Sequence, residues 1–101
     1  MRKVINGVRC FTDKAIPLGL VVLGGDAASP HFQQFTLYAT SKSRRFFAYG
    51  TGGTLTSFAG AEEDIVLLSN EEAFQIVQEC FDWEPEQYRH WFKKVPEYLV
   101  P

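Results

Sequence analysis

A length of 101 residues suits one domain with its own core, and we expect residues 1–101 to form a single domain. Hydrophobic residues make up 46% of the chain, aromatic residues make up 15%, and the net charge is −2, so a globular protein with many rings in its core or on a binding surface is expected. No apolar run approaches the roughly 20 residues of a membrane span, and the first residues lack the apolar region of a signal peptide. We therefore expect a cytoplasmic protein that makes no membrane contact.

The first predicted element is a β-hairpin over residues 2–11. Asn6-Gly7 separates two strand-like runs, and this dipeptide favours a two-residue type I′ turn because both turn positions need a positive φ. The apolar run at residues 20–23 is either a strand or a segment that covers the core, since periodicity does not separate the two. Residues 26–30 have the composition of a loop.

The central element is a second hairpin over residues 37–53, with a polar and basic turn at residues 41–44. Its arms are rich in Thr, Tyr, Phe and Leu, which favour a pleated, half-buried strand. Side chains alternate between the faces of a strand. This alternation places Phe35, Leu37 and Ala39 on one face of the outgoing arm, and it separates Phe47 and Tyr49 from Phe46 and Ala48 on the return arm. Both faces are apolar, so we expect flanking strands on either side and a helical layer over at least one face.

The glycine-rich end of this hairpin, residues 50–53, has two interpretations. A phosphate-binding loop would need a Lys-Ser/Thr pair and a helix directly after the glycines, and neither follows here. The favoured interpretation is therefore a bulge or a tight bend. Residues 55–58 then look like another strand or an extended edge.

Two helices are predicted after a short strand at residues 65–68. Ser69 and Glu72 form the capping-box pattern, which predicts a helix over residues 70–81. Its apolar stripe consists of Ala73, Phe74, Val77, Cys80 and Phe81. Pro85 suits the first turn of a second helix over residues 85–95. The stripe of that helix is Tyr88, Trp91, Phe92 and Val95, its C-terminal end carries Lys93 and Lys94, and Pro96 ends it before a tail at residues 97–101.

These elements predict an α+β domain. An antiparallel sheet of four to six strands, built from hairpins mostly within residues 2–68, is expected to pack against the two C-terminal helices, because only a sheet offers the apolar surface that both helical stripes need. Phe74 and Trp91 are expected in the core. An exposed Trp91 would instead mark an interface.

Five segments of the chain form a combination of motifs: Ile5-Asn6-Gly7, Thr12-Asp13-Lys14-Ala15, Leu37-Tyr38-Ala39-Thr40, the run from Arg45 to Gly53, and Leu68-Ser69-Asn70-Glu71-Glu72-Ala73. This combination resembles a group of short uncharacterised bacterial proteins, many of them carried by phages and mobile elements, which typically open with an INGxxYDTxxA-like pattern and carry an FFxYGxGG-like segment. The resemblance touches residues 3–74 in patches and implies no activity. Cys10-Phe11 stands where Tyr-Asp is usual in the group, so a role of that pair is not carried over.

No catalytic or metal-binding pattern is visible in the sequence. Cys10 and Cys80 have no metal-type spacing with each other or with the two histidines, so two reduced, buried thiols are expected. His90 is expected to be a partly exposed structural residue beside Trp91. The acidic run at residues 62–64 is expected to be a solvated loop. We therefore expect a protein that is not an enzyme and that binds no metal and no cofactor.

The charge is unevenly distributed along the chain. Residues 1–60 hold seven Lys or Arg and two Asp or Glu, a balance of 7 − 2 = +5, whereas residues 61–101 hold three and ten, a balance of 3 − 10 = −7. The favoured interpretation is an acidic helical layer beside a basic sheet, and the alternative is two separate charged binding faces. The acidic half argues against nucleic acid as a partner of the whole molecule.

Two functional classes remain open. The favoured class is a small non-catalytic module that binds another protein, such as an inhibitor or accessory protein encoded by a phage or mobile element. The alternative is nucleic-acid contact through the basic hairpin tip, with exposed rings stacking on single-stranded bases. The partner could also be a second copy of the chain, as a homodimer. The candidate binding residues are Lys42, Arg44, Arg45, Tyr49 and Trp91.

Overall fold

The computed structural model describes residues 1–92 and has the predicted α+β architecture. Two short strands form a separate antiparallel hairpin, and the other four form an antiparallel sheet in the order β3-β4-β5-β6. The helices come last in the chain. The elements are β1 (Arg2–Ile5), β2 (Val8–Phe11), β3 (Ile16–Leu23), β4 (Gln33–Ala39), β5 (Phe46–Gly52), β6 (Asp64–Leu68), α1 (Asn70–Cys80) and α2 (Pro85–Trp91).

The first hairpin is confirmed, including its turn. Asn6 and Gly7 have φ values of 49° and 77°, as a type I′ turn requires, and Ile5 pairs with Val8 across it. The uncertain run at residues 20–23 is the second half of β3, an eight-residue strand with a register shift between Pro17 and Gly19.

The central hairpin is also confirmed as the interior pair of its sheet. β4 and β5 pair in uninterrupted register, with β3 on one side and β6 on the other. Leu37 lies opposite Ala48 on one face, and Tyr38 lies opposite Phe47 on the other. The first face is covered by both helices. Its buried cluster comprises Val21, Phe35, Leu37, Ala39, Phe46, Ala48, Phe58, Leu68, Ala73, Val77, Tyr88 and Phe92.

The second face of the sheet is covered by the first hairpin. Val8 and Cys10 of β2 are buried against Phe47 and Ile65. An ion pair of 3.0 Å between Lys3 Nζ and an oxygen of Asp64 holds the hairpin to β6. The sheet therefore has a helical layer on one side and a two-stranded layer on the other, and the second layer reaches only part of its face.

Residues 55–58 do not form the expected strand. The chain turns there, because Leu55 N donates a hydrogen bond of 2.9 Å to Pro30 O and Thr56 Oγ1 donates one of 2.8 Å to Gly53 O. Phe58 is the buried residue of this segment, and its ring lies 5.8 Å from that of Phe35. Residues 55–58 thus form a turn that places the Phe58 ring against the sheet, instead of a further strand.

Of the two structures expected at the glycines that end β5, the tight bend is present and the bulge is not: the chain turns directly after Gly53, where Thr56 N donates to Gly53 O at 3.1 Å. β5 pairs with both of its neighbours without a register shift. A Cβ atom at Gly50 would overlap Gln34 O, and one at Gly53 would overlap Pro30 O. Close approach of backbone is therefore what requires glycine here.

The predicted start of α1 is confirmed. Glu72 N donates to Ser69 Oγ at 3.1 Å, and Ser69 N donates to Glu72 Oε1 at 3.0 Å, so the capping box is complete. Ala73 and Val77 are buried, and Phe74 is half-buried against the core.

Cys80 corrects the sequence prediction, because it is exposed whereas Cys10 is buried as expected. α1 ends at Cys80, and the next side chain, Phe81, packs on the sheet instead. A Cβ atom on Gly19 of β3 would lie only 2.7 Å from the Phe81 ring. Of these two members of the predicted stripe, Phe81 therefore packs on the sheet as expected, and Cys80 does not.

The second helix begins at Pro85 as predicted and ends at Trp91, earlier than the expected residue 95. Phe92 is extended, with φ −116° and ψ 132°, and its ring stacks 4.8 Å from that of Phe46. Packing of this ring fixes the end of the helix. Trp91 is half-buried and packs against the core. The remaining predictions for Lys93, Lys94, Val95, Pro96 and the tail at residues 97–101 lie outside the described residues.

Phe92→Ala tests whether α2 is anchored to the sheet through its last ring. Phe92 is 2% exposed and lies against the rings of Phe46 and Phe74, so its truncation should lower the free energy of unfolding by about 3–5 kcal/mol. Urea denaturation followed by tryptophan fluorescence measures this. Leu55→Ala is the matched control, because Leu55 is 65% exposed and should leave the midpoint unchanged. Equal midpoints for the two variants would contradict this packing.

Thiol labelling tests the different positions of the two cysteines. Cys80 should react with a thiol reagent in the native protein, whereas Cys10 should react only after unfolding. Burial raises the pKa of both thiols, so labelling of Cys80 should speed up as the pH rises. Mass spectrometry of Cys10→Ser and Cys80→Ser variants assigns the label. Rapid native labelling of the Cys80→Ser variant would show that the first hairpin does not protect Cys10.

Candidate binding groove

A groove of about 610 Å³ lies between the first hairpin and the tip of the β4–β5 hairpin. Four of its lining residues are cationic, Arg9, Lys14, Lys42 and Arg45, and none of those within residues 1–92 is acidic. We call it the basic groove. All four cationic residues are exposed. The remaining lining residues are Asn6, Gly7, Val8, Phe11, Ala15, Thr40, Ser41 and Ser43.

The hairpin wall of the groove is positioned by alternation along β2. Val8 and Cys10 point into the core, so Arg9 between them points outward. The chain then curls after β2, where Lys14 N and Ala15 N donate to the same carbonyl, Phe11 O, at 3.0 and 2.9 Å. This turn brings Lys14 to the groove.

The opposite wall is the tip of the central hairpin, which is closed by Thr40. Thr40 Oγ1 accepts a hydrogen bond of 2.9 Å from Arg45 N and lies 2.9 Å from Ser43 Oγ. Arg44 adopts φ 51° at the end of the turn, in the left-handed region that is uncommon for residues other than glycine. Lys42 and Arg45 line the groove, whereas Arg44 does not.

Arg44 instead contacts the C-terminal end of α2. Its guanidinium donates a hydrogen bond to the carbonyl oxygen of His90 and lies 6.0 Å from the centre of the Trp91 ring. The last carbonyls of a helix lack intrahelical partners and attract cations, so this contact is favourable. Arg44 and Trp91 therefore join the hairpin tip to the helical layer.

Tyr49 lies apart from the groove, on the face of the sheet under the first hairpin. Its hydroxyl donates a hydrogen bond of 3.0 Å to Glu63 Oε2, and this bond to a carboxylate raises the pKa of Tyr49. The five residues selected from the sequence are thus divided. Lys42 and Arg45 share the groove, Arg44 and Trp91 form a separate contact, and Tyr49 belongs to neither.

The groove cations have no carboxylate partners among residues 1–92. The two ion pairs in this part of the chain join Arg2 to Asp13 at 2.6 Å and Lys3 to Asp64 at 3.0 Å. The hydrogen bond from Arg2 lowers the pKa of Asp13, and the one from Lys3 lowers the pKa of Asp64. Within residues 1–92, the Lys3–Asp64 pair is the ion pair that connects the two oppositely charged halves, so the expected complementarity does not extend to the groove in this part of the chain.

Sequence reasoning missed Arg9 and Lys14 as site residues. The alternation of β2 was visible, and it was enough to place Arg9 on the outer face of the hairpin. The missing information was that the hairpin docks beside the tip that carries Lys42 and Arg45. That docking depends on contacts across more than thirty residues of sequence, such as Val8 and Cys10 against Phe47.

The chemistry of this arrangement is that of anion binding. Four cations and several hydroxyl groups surround a groove with an apolar floor that includes Phe11 and Ala15. Burial raises the pKa of the nearby Cys10, with Arg45 and Lys3 opposing the shift, and this favours the protonated thiol. Among residues 1–92, no three His, Cys, Asp or Glu side chains are grouped to hold a metal ion, and no helix has the length and hydropathy to cross a membrane.

Comparisons with protein-family models, with curated proteins and with solved structures find no match to this chain. The resemblance to short phage-borne and mobile-element proteins therefore stays a prediction.

Asp64→Asn tests the ion pair that holds the first hairpin beside the groove. The pKa of Asp64 is lowered in the folded state, so its stabilisation is present above the unfolded pKa and is lost as the pH falls through the folded value. Below about pH 4, the melting temperature of the wild type should fall more steeply than that of Asp64→Asn. Glu62→Gln, an exposed change two residues away, should keep the wild-type slope. Identical slopes for wild type and Asp64→Asn would show that the pair contributes nothing.

Proposed function

We propose that this chain is a small non-catalytic protein-binding module whose basic groove receives an acidic segment of a partner protein. The single observation that carries the proposal is the convergence of Arg9, Lys14, Lys42 and Arg45 on one groove that no carboxylate of the described residues lines. Like charges repel one another, and an acidic ligand would relieve that repulsion.

An acidic peptide fits the shape and composition of the groove. The apolar floor offers burial to hydrophobic side chains between acidic ones, and the two arginines offer bidentate hydrogen bonds to carboxylates. Binding of this kind needs no catalytic group. A role as an inhibitor or accessory protein of a phage or mobile element agrees with a small module that acts by occupying a partner's surface.

Nucleic acid is the second candidate, because the same cations would also bind phosphates. The rings that would stack on unpaired bases argue against it. Phe46 and Phe47 follow the basic tip directly, yet they are 1% and 0% exposed, and Phe11 is the one aromatic residue among the described residues that line the groove. Single-strand binding draws much of its free energy from stacking on exposed rings, so the acidic peptide is favoured.

Fluorescence anisotropy with a labelled peptide of about ten Asp and Glu residues tests the proposal. The wild type should bind with a dissociation constant on the order of tens of micromolar. Arg9→Ala combined with Arg45→Ala should weaken binding by about tenfold or more, since each exposed charge pair contributes up to about 1 kcal/mol. The matched control is Arg2→Ala combined with Arg44→Ala, which removes the same charge outside the groove and should bind nearly as the wild type does.

Three outcomes would contradict the proposal. One is absence of peptide binding, and another is equal weakening by both double variants, which would reveal attraction to net charge alone. The third is tighter binding of labelled oligonucleotides that depends on Arg9 and Arg45. For single strands that binding should fall with salt at a log–log slope of about −0.7 for each neutralised phosphate. Circular dichroism of every variant verifies that it is folded.

A further inference from the structure

β3 (Ile16–Leu23) is an edge strand of the sheet and pairs with β4 on one side only. Apart from that pairing, no hydrogen bond of residues 16–23 occurs within the described part of the chain. Alternate backbone N–H and C=O groups of β3 therefore point outward without a partner among residues 1–92, which is a template for another strand.

Half of β3 lacks the features that usually keep an edge strand from pairing with another chain, namely charged side chains, prolines and bulges. Pro17 and the register shift between Pro17 and Gly19 interrupt its first half. The second half, residues 20–23, has no charge, no proline and no bulge. An edge strand that must stay single normally carries such a device along its exposed length.

Two large apolar side chains project from this unprotected half. Leu20 and Val22 lie opposite Thr36 and Gln34, on the face that the first hairpin only partly covers. They are 62% and 54% exposed. Val21 between them is 1% exposed and belongs to the core under the helices. One face of β3 is therefore buried, and the face that carries Leu20 and Val22 is exposed.

We propose that the β3 edge binds the β3 edge of a second copy of this chain, in antiparallel register about a two-fold axis, to form a continuous eight-stranded sheet. A two-fold interface brings each residue close to its own counterpart. A charged strand would then face like charges, but residues 16–23 carry none. Leu20 and Val22 of both copies come together on one face and exclude water from each other.

This dimer leaves both basic grooves accessible. The groove residue Ala15 directly precedes β3, so the groove lies at the N-terminal end of the strand. Antiparallel pairing places the two grooves at opposite ends of the joined strands. The inference is independent of what the groove binds.

The pairing should be weak. Four residues of strand and two side chains from each copy make a smaller contact than the standard interface of about 1,600 Å². A dissociation constant on the order of 10–100 µM is expected. Light scattering after size exclusion, with protein loaded at about 500 µM, should therefore report a mass near twice that of one chain. A monomer at that concentration would overturn the proposal, even if the β3 edge bound a different molecule.

Charge variants identify the edge as the interface. Leu20→Lys combined with Val22→Lys, and Leu20→Glu combined with Val22→Glu, should each be monomeric. Mixing the two variants in equal amounts should restore a species of twice the mass, because Lys then faces Glu whichever residues lie opposite. Recovery of the dimer also shows that both variants are folded.

The matched control places two lysines on exposed apolar positions elsewhere. Val4→Lys combined with Leu55→Lys changes residues that are 61% and 65% exposed, and it should remain a dimer. Dimers formed by the separate Lys and Glu variants of β3, or failure of their mixture to associate, would overturn the assignment of the interface to β3.

Discussion

The β4–β5 pair is the element on which the rest of the structure depends, because it must be covered on both faces. Phe46 and Phe47 are adjacent, point to opposite sides and are at most 1% exposed. The helices cover the Phe46 side, and the first hairpin covers the Phe47 side. Among the described residues, the cluster under the hairpin includes no residue of β3. Covering both faces of the β4–β5 pair therefore produces two buried clusters. It also leaves the groove between the two hairpins and an exposed apolar face on β3.

Those features that depend on a few neighbouring residues could be predicted from the sequence. Asn6-Gly7 fixed the first turn, because positive φ at both positions is a local property. Ser69 and Glu72 fixed the start of α1, because the two side chains satisfy each other's backbone N–H groups. Alternation along β4 and β5 predicted two apolar faces, and from these the α+β class and the interior position of the pair followed.

Features that depend on distant contacts could not be predicted. Residues 55–58 have a strand-like composition, but hydrogen bonds to Pro30 O and Gly53 O turn them into a loop. Cys80 and Phe81 both belong to the predicted stripe of α1, yet only Phe81 packs on the sheet, because Gly19, sixty-two residues earlier, leaves room for its ring. Arg9 and Lys14 could not be predicted as groove residues for the same reason. They lie near Lys42 and Arg45 only because the first hairpin docks beside the tip of the central hairpin.

The two adjacent arginines of the hairpin tip show how one short segment serves both folding and binding. Arg44 occupies φ 51°, a conformation that costs about 1–2 kcal/mol for an ordinary residue. Its hydrogen bond to His90 O and its position over Trp91 offset that cost by satisfying the end of α2. If Arg44 pointed the other way, it would add a fifth cation to the groove and increase the repulsion there. Turning it toward the helix leaves Arg45 as the arginine of the tip that is available to an anionic partner.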